Sequence, residues 1–146
     1  MDRVYLLLGT NLGEKEQNLR CAISLLVTQM APFLFSEITE SSVYETLPWG
    51  FESKDSFLNQ AISFETTLDP EQMLKICKWV EEKMGREILE PEYDSEGKRV
   101  YHSRIIDIDI LLFGDRVVDL PHLQIPHPDL YNREFALNPL NEIKKV

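Results

Sequence analysis

The chain has 146 residues, of which 43% are hydrophobic and 27% charged, and this balance is typical of one folded globular domain covering residues 1–146. Its formal net charge of −10 argues against a protein that binds nucleic acid or a membrane surface through a basic face. No apolar segment approaches the ~20 residues that span a bilayer and no secretory signal opens the chain, so we expect a cytoplasmic location.

The first third of the chain predicts a strand, a helix, a weaker strand and a loop. The segment RVYLLLG is a short apolar run that predicts a strand ending in a Gly-Thr-Asn turn. From Glu14 to Met30 apolar residues recur every three or four positions, which predicts an amphipathic helix that Pro32 ends. Residues 34–45 alternate imperfectly and predict a weak strand, and the following TLPWGFESKD predicts a loop.

The middle of the chain predicts a third strand, a second helix and a long loop. SFLNQAISFET alternates strictly between two faces, as a strand does. Asp69 is placed as the N-cap of a helix, with Pro70 at its first position, Gln72 three residues after the cap and Gly85 beyond its last turn. Residues 87–103 are charged and show no period, which predicts a long surface loop that closes as a mobile lid over a ligand.

The last third predicts one more strand and an irregular end. The apolar run RIIDIDILLFG predicts a fourth strand over residues 104–113, and four prolines after it predict an irregular Pro-rich C-terminal segment. The resulting order is β-α-β-β-α-β. It predicts an α+β, ferredoxin-like sandwich with an antiparallel sheet and both helices packed on one face.

Two carboxylates lie in the middle of the predicted fourth strand. By the period of two, Ile106, Ile108, Ile110 and Leu112 form its core face. Asp107 and Asp109 then share the opposite face, with Cα atoms about 6.5–7 Å apart, flanked by Ile105, Leu111 and Phe113. This spacing suits two Mg²⁺ ions that also hold phosphates, although Asp-x-Asp also occurs as a solvated pair on an exposed face.

Other side chains suggest a nucleotide and a flat ring. Arg86 and Arg104 flank the charged loop, and their guanidinium groups suit triphosphate oxygens, or else they form ordinary surface ion pairs. His127, between two prolines, fits a loop hydrogen bond as well as a functional role. Phe57 and Asn59 share a strand face and offer a stacking ring beside an amide edge, or simple strand packing.

Six motifs in order, LLLGTNLG, YETLPWG, FLNQAI, VEEKMGR, RIIDIDILLFG and IPHPDLYNREFALNPL, resemble those of the 6-hydroxymethyl-7,8-dihydropterin pyrophosphokinases of folate biosynthesis. The resemblance covers the chain from about Val4 to Ile143. It implies a monomeric, ferredoxin-like enzyme that moves the diphosphoryl group of ATP to the hydroxymethyl oxygen of the pterin and releases AMP. It also implies two Mg²⁺ ions as cofactors, small-molecule substrates only, and no nucleic-acid or membrane partner.

The same resemblance implies roles for individual residues. The catalytic residues are Arg86, Arg104, Asp107 and Asp109, of which the two aspartates bind both metal ions. The nucleotide-site residues are Glu81, Arg86, Arg104, Ile110, His127 and Arg133. The pterin-site residues are Thr46, Leu47, Trp49, Phe57, Asn59 and Phe135, with the two phenylalanines on either side of the ring.

The chain departs from the family pattern near its loops. Tyr101-His102-Ser103 replaces the usual Trp-Gly-Pro, the loop over residues 87–103 is longer and more acidic than usual, and Trp49 stands where a smaller aliphatic residue is common. Two other classes of function stay open from the residues alone. One is a non-catalytic ferredoxin-like binding module, and the other is a two-metal nuclease or nucleotidyltransferase, which the net charge of −10 disfavours.

Overall fold

A computed structural model describes residues 1–46, 56–88, 92–93, 95–96, 99–100, 105–130 and 132–144, without the side chains of residues 86–88, 92–93 and 99–100. The strands are β1 Asp2–Thr10, β2 Thr39–Glu40, β3 Tyr44–Thr46, β4 Phe57–Thr66, β5 Glu92–Tyr93, β6 Arg99–Val100, β7 Asp107–Phe113, β8 Val118–Leu120 and β9 Leu123–Ile125. The helices are α1 Lys15–Met30, α2 Pro70–Ile88 and α3 Glu134–Ile143, and a 3₁₀ turn, Ala31–Phe33, follows α1. No helix among these residues is long and apolar enough to cross a membrane.

The main sheet is antiparallel, with the strand order β2-β4-β1-β7, and β3 also pairs with β4. When β2 and β3 are taken as one interrupted strand, this is the β-α-β-β-α-β sandwich that the sequence predicts. The alternation predicted for β4 is confirmed. Leu58, Ile62 and Phe64 belong to the core under α1 and α2, whereas Ala61 belongs to the core on the other face.

The start of α2 is confirmed by its hydrogen bonds. Asp69 Oδ1 accepts the Gln72 backbone N–H at 2.8 Å, and Gln72 Oε1 accepts the Asp69 N–H at 2.9 Å, so the two residues cap the helix reciprocally. The predicted end is wrong, because α2 continues through Gly85 to Ile88. Gly85 does not have the positive φ of a helix-ending glycine, and it lies inside the helix.

The prediction of an irregular C-terminal segment is wrong. Strands β8 and β9 form a hairpin, and the ten-residue α3 follows with Pro139 inside it. Ala136 and Leu140 of α3 pack with Leu7, Ala61 and Leu111 on the face of the sheet opposite α1 and α2. The helices therefore lie on both faces, because this burial outweighs the hydrogen bond that Pro139 cannot donate.

A bulge in β7 also changes which side chains face which core. The pairing with β1 shifts register between Tyr5–Leu112 and Leu6–Ile110, so Leu111 is the extra residue. Beyond it the alternation is displaced. Leu112 belongs to the core under α3 and Phe113 belongs to the core under α1 and α2. Each side chain therefore lies on the face opposite to the predicted one. Ile105 also lies in the core under α1 and α2. Of the three predicted flanking residues, only Leu111 is therefore on the same face as the two aspartates.

Candidate active site

A cleft of about 980 Å³ opens on the α3 side of the sheet. Its lining consists of Leu7, Gly9, Thr46, Phe57, Asn59, Asp107, Asp109, Asn132, Arg133, Glu134 and Phe135. Apart from Leu7, Gly9, Asn132 and Glu134, all of these are residues that the sequence assigns to a site. The structure therefore brings the predicted aromatic, amide and carboxylate groups to one concave surface, which is the usual shape of a small-molecule site.

The strand pairing explains why these side chains meet. Tyr44 on β3 is opposite Asn59 on β4, Asn59 is opposite Gly9 on β1, and Gly9 is opposite Asp107 on β7. Residues paired across a sheet project from the same face. One row across four strands thus carries a phenol, an amide, a gap and a carboxylate.

The gap in that row is Gly9, a residue that the sequence motifs did not predict to belong to the site. A Cβ atom on Gly9 would lie 3.0 Å from Asn59 Oδ1, which is too close for the amide to keep its position. The strand was predicted to end at this glycine, but β1 continues through it to Thr10. A glycine inside a strand often marks a place where a ligand or another part of the chain comes close to the backbone. The position of Gly9 in an apolar run was therefore the signal in the sequence for its place in the site.

One end of the cleft is aromatic and polar. Asn59 is only 5% exposed, and its Nδ2 donates to Thr46 Oγ1 at 3.2 Å. Phe57 pairs with Thr46 across β3 and β4, and Phe135 enters from the first turn of α3. The guanidinium of Arg133 lies 5.5 Å from the centre of the Phe135 ring. This end can hold a flat heterocycle between rings, with an amide and a hydroxyl at its edge.

The other end of the cleft is acidic. Asp107 and Asp109 are both exposed on β7, while Ile108 between them is buried. His127 Nε2 lies 3.9 Å from Asp109 Oδ1, and the His127 backbone N–H donates to the Leu111 carbonyl at 3.0 Å. His127 Nδ1 accepts the Asp129 backbone N–H at 3.2 Å, so the proton of the neutral ring is at Nε2, facing Asp109.

The donor atoms at this end fit a hard cation. Asp107 and Asp109 supply carboxylate oxygens, which Mg²⁺ prefers, and they leave room for water and substrate phosphates around the ion. Within the described part of the chain, no group of three or more His, Cys, Asp and Glu side chains could hold a metal by itself. Two carboxylates with substrate oxygens suit Mg²⁺ better than a closed zinc site.

Three described nucleotide-site residues are absent from the cleft lining, namely His127, which lies beside it next to Asp109, and Glu81 and Ile110. Glu81 Oε2 accepts the backbone N–H of Ile108 at 3.0 Å, and Glu81 Oε1 lies 3.3 Å from Lys78 Nζ. Glu81 thus binds the edge of β7 that faces away from β1, and β7 is the strand that carries the aspartates. Ile110 is 4% exposed and packs in the core under α1 and α2, so its side chain does not enter the cleft.

Four other predicted site residues cannot be placed in the cleft. Leu47, Trp49 and Arg104 lie outside the described residues, as does the segment Tyr101-His102-Ser103. Arg86 lies in α2, and its side chain is not described. The irregular loop predicted over residues 87–103 is wrong where the structure describes it as regular, because residues 87–88 belong to α2 and β5 pairs antiparallel with β6. Residues 89–91, 94, 97–98 and 101–103 lie outside the described residues.

The sequence is similar over nearly its whole length to the members of one protein family. A family model for 7,8-dihydro-6-hydroxymethylpterin-pyrophosphokinase matches residues 5–145. The 2-amino-4-hydroxy-6-hydroxymethyldihydropteridine pyrophosphokinase of Porphyromonas gingivalis is 40% identical over 96% of this chain and 89% of its own length. The protein of the same name from Bacillus subtilis is 37% identical over 95% of this chain and 76% of its own length.

Longer proteins contain a similar segment. The folic acid synthesis protein FOL1 of Dictyostelium discoideum is 38% identical over 96% of this chain, which spans 19% of that protein. The fold is similar to that of the Plasmodium falciparum HPPK-DHPS, with a TM-score of 0.64 and 19% identity over 98% of this chain. This chain spans 40% of the HPPK-DHPS chain, and at that identity the likeness shows the fold alone.

Proposed function

Because this chain belongs to the 7,8-dihydro-6-hydroxymethylpterin-pyrophosphokinase family, we propose that it transfers the diphosphoryl group of ATP to the hydroxymethyl oxygen of 6-hydroxymethyl-7,8-dihydropterin. The products are the pterin diphosphate and AMP, and the pathway is folate biosynthesis. We further propose that the chain acts as a single-domain cytoplasmic monomer on small molecules, with two Mg²⁺ ions and without a nucleic-acid or membrane partner.

One observation carries the proposal. A single cleft has rings and an amide at one end and two carboxylates at the other, with only Gly9 between Asn59 and Asp107 in the row that joins them. A pterin alcohol combines a flat, hydrogen-bonding ring with a hydroxyl at its rim. When the ring lies against Phe57 and Asn59, its hydroxymethyl group can point along Gly9 toward the carboxylates.

The aromatic end would bind the pterin. Phe57 and Phe135 would stack on its two faces, and the Asn59 amide, already held by Thr46, would pair with the ring edge. Because Asn59 is buried, a ligand that lacks matching donors and acceptors would leave the amide unsatisfied, which gives selectivity for the pterin ring.

The acidic end would bind the triphosphate through Mg²⁺. Asp107 and Asp109 would hold the metal, and His127 Nε2–H and the Arg133 guanidinium would approach the phosphates as donors. The chemistry supplied by bound Mg²⁺ is neutralisation of phosphate charge in the transition state. Arg86 and Arg104 are proposed to contribute the remaining positive charge.

The reaction requires positioning more than a strong base. A bond forms between the hydroxymethyl oxygen and the β-phosphorus, the bond between that phosphorus and the α,β-bridging oxygen breaks, and the hydroxyl proton is lost. In-line attack needs the hydroxymethyl oxygen held opposite the bridging oxygen that leaves with AMP, and a cleft that binds the pterin at one end and the triphosphate at the other can hold it there.

The direct test incubates the purified chain with ATP, 6-hydroxymethyl-7,8-dihydropterin and Mg²⁺. We expect AMP and pterin diphosphate in equal amounts, and no product when EDTA removes the metal. Omitting the pterin is the control for ATP hydrolysis. Formation of ADP, or of AMP without pterin diphosphate, would contradict the proposal.

A further inference from the structure

The last turn of α3 is bonded to the edge strand β3 by one carboxylate. Glu142 Oε1 accepts the Tyr44 hydroxyl at 2.6 Å. Its other oxygen, Oε2, accepts the Ser42 backbone N–H at 2.6 Å and the Ser42 hydroxyl at 3.2 Å. All three bonds join residues about 100 positions apart, so they connect two segments that the chain itself does not hold together.

Both segments carry residues of the proposed pterin site. Tyr44 is opposite Asn59 in the sheet, and Thr46, two residues later on the same face, accepts the Asn59 amide hydrogen bond. On α3, Phe135 precedes Glu142 by seven residues, which is about two helical turns, so the two side chains lie along one stripe of the helix. Glu142 therefore links the helix that carries Phe135 to the strand that carries Thr46, the partner of Asn59.

Strand β3 is held to the sheet from one side. Its backbone pairs with β4, and Ser41 just before it is hydrogen-bonded to Gln60 and Ala61 of β4. Strand β3 has three residues, it lies at an edge of the sheet, and among the described strands it pairs only with β4. A short edge strand with one neighbour shifts easily, because few backbone bonds oppose the movement. The core under α3 includes Ala136 and Leu140, which lie between Phe135 and Glu142 along the helix and pack with Leu7, Ala61 and Leu111 of strands β1, β4 and β7.

From this arrangement we infer that Tyr44 and Glu142 are positioning residues that set the width of the pterin end of the cleft. Neither residue lines the cleft, so they act on the substrate through Thr46, Asn59 and Phe135. The inference rests on the proposed function, and it adds a specificity-determining contact outside the residues that touch the ring. The acidic end of the cleft lies across the sheet on β7, so loosening β3 is expected to leave the nucleotide end in place.

The test compares Tyr44→Phe, Glu142→Gln and the double variant with the wild type. Binding of α,β-methylene-ATP with Mg²⁺, and of 6-hydroxymethylpterin to the resulting complex, is measured by calorimetry. Each single variant is expected to raise the pterin dissociation constant by about fivefold or more, the scale of one charge-assisted hydrogen bond, while the nucleotide value stays within about twofold. The pterin dissociation constant of the double variant should equal that of the single variant that binds pterin more weakly, since both changes remove the same contact.

Glu45→Gln is the matched control. Glu45 is an exposed carboxylate on the same strand, next to Tyr44 but on the opposite face, so its removal should leave both dissociation constants at the wild-type values. Circular dichroism checks that each variant is folded, and Tyr44→Phe removes a single oxygen if Glu142→Gln proves unstable.

The outcomes separate this inference from the proposed function. If the wild type forms AMP and pterin diphosphate but both variants keep wild-type pterin affinity, or lose pterin and nucleotide affinity equally, the positioning role is wrong and the proposed function stands. If the wild type binds no pterin and forms no product, both are wrong. A selective loss of pterin affinity in both variants supports the role.

Discussion

Gly9 lies between Asn59 and Asp107 in one row of the sheet, where the two ends of the proposed site meet. We predict that Gly9→Ala raises the pterin dissociation constant by about tenfold, because the added carbon would lie 3.0 Å from Asn59 Oδ1 and displace the amide. Calorimetry measures the change. Gly85→Ala is the control for folding, since no described atom outside the backbone of its own helix lies within 4 Å of its Cβ position. Unchanged pterin affinity in Gly9→Ala would contradict the placement of the ring edge at Asn59.

A substitution at Asn59 is expected to affect the binding of the pterin and not the binding of the nucleotide. We predict that Asn59→Ala weakens pterin binding by about 1–3 kcal/mol, because the ring edge would be buried without its partner. The affinity for α,β-methylene-ATP should hardly change, because the nucleotide is placed at the other end of the cleft. Equal losses for both ligands, measured by calorimetry, would argue against the pterin placement.

The two aspartates are predicted to be needed for turnover and not for folding. Asp107→Ala or Asp109→Ala should lower the rate of AMP formation by about a hundredfold or more, because each removes a proposed metal ligand that stabilises the transferring charge. The thermal midpoint should stay close to that of the wild type, since both side chains are exposed. Asp119→Ala, at an exposed aspartate of β8, is the control. Near-normal rates in both variants would contradict the metal assignment.

Among the elements, those with complete local signals were predicted well. Strand β4 alternates without interruption, and α2 begins with a reciprocal cap, so both could be located from the sequence. Helix α3 was missed because Pro139 lies in its middle and its stability comes from packing on the sheet. The bulge at Leu111 depends on the pairing with β1, which the sequence of β7 alone does not reveal.

The same distinction applies to the candidate site. The shared face of Asp107 and Asp109, and that of Phe57 and Asn59, followed from the period of a strand, so the sequence could predict them. The role of Gly9 could not be predicted in this way, because it depends on which residues face it on two other strands. The contact between Glu142 and Tyr44 joins elements 98 residues apart and was equally hidden.

The bond between α3 and β3 is also expected to depend on pH. The Tyr44 hydroxyl lowers the pKa of Glu142 from its ordinary 4.5, and Glu142 raises the pKa of Tyr44 from its ordinary 10.0. The contribution of Glu142 is present above pH 4.5 and is lost as the pH falls through its lowered folded value. The contribution of Tyr44 is present below pH 10.0 and is lost as the pH rises through its raised folded value.

We therefore predict that Tyr44→Phe lowers the free energy of unfolding by a constant amount between pH 4.5 and 10.0, and by less outside that range. Urea unfolding of the two proteins across this range measures the difference. When Glu142→Gln is already present, the loss of unfolding free energy caused by Tyr44→Phe should no longer become smaller below pH 4.5, because the carboxylate that titrates is gone. A difference that grows as the pH falls below 4.5 would contradict this account.

At the scale of the whole molecule, the two faces of the sheet have different tasks. The face under α1 and α2 buries the larger core, including Phe64, Phe113 and Met73, whereas the α3 face is only partly covered and leaves the cleft open. The core can therefore set stability while the open face binds substrate. Substrates that bind across this face add contacts between the sheet and α3, so their binding should stabilise the entire fold.

The last prediction uses this coupling to test for the metal without measuring turnover. With Mg²⁺ and α,β-methylene-ATP at about a hundred times its dissociation constant, the native state should gain about 2.7 kcal/mol, which raises the thermal midpoint by about 5–10 °C. EDTA should remove most of this shift in the wild type, because the triphosphate would then meet two carboxylates and a molecule of net charge −10 without the neutralising cation. Asp109→Ala should show a much smaller shift even with Mg²⁺, whereas Asp119→Ala should behave as the wild type. An equal shift in EDTA and in Mg²⁺ would mean that the nucleotide binds without metal and that the acidic end of the cleft has another role.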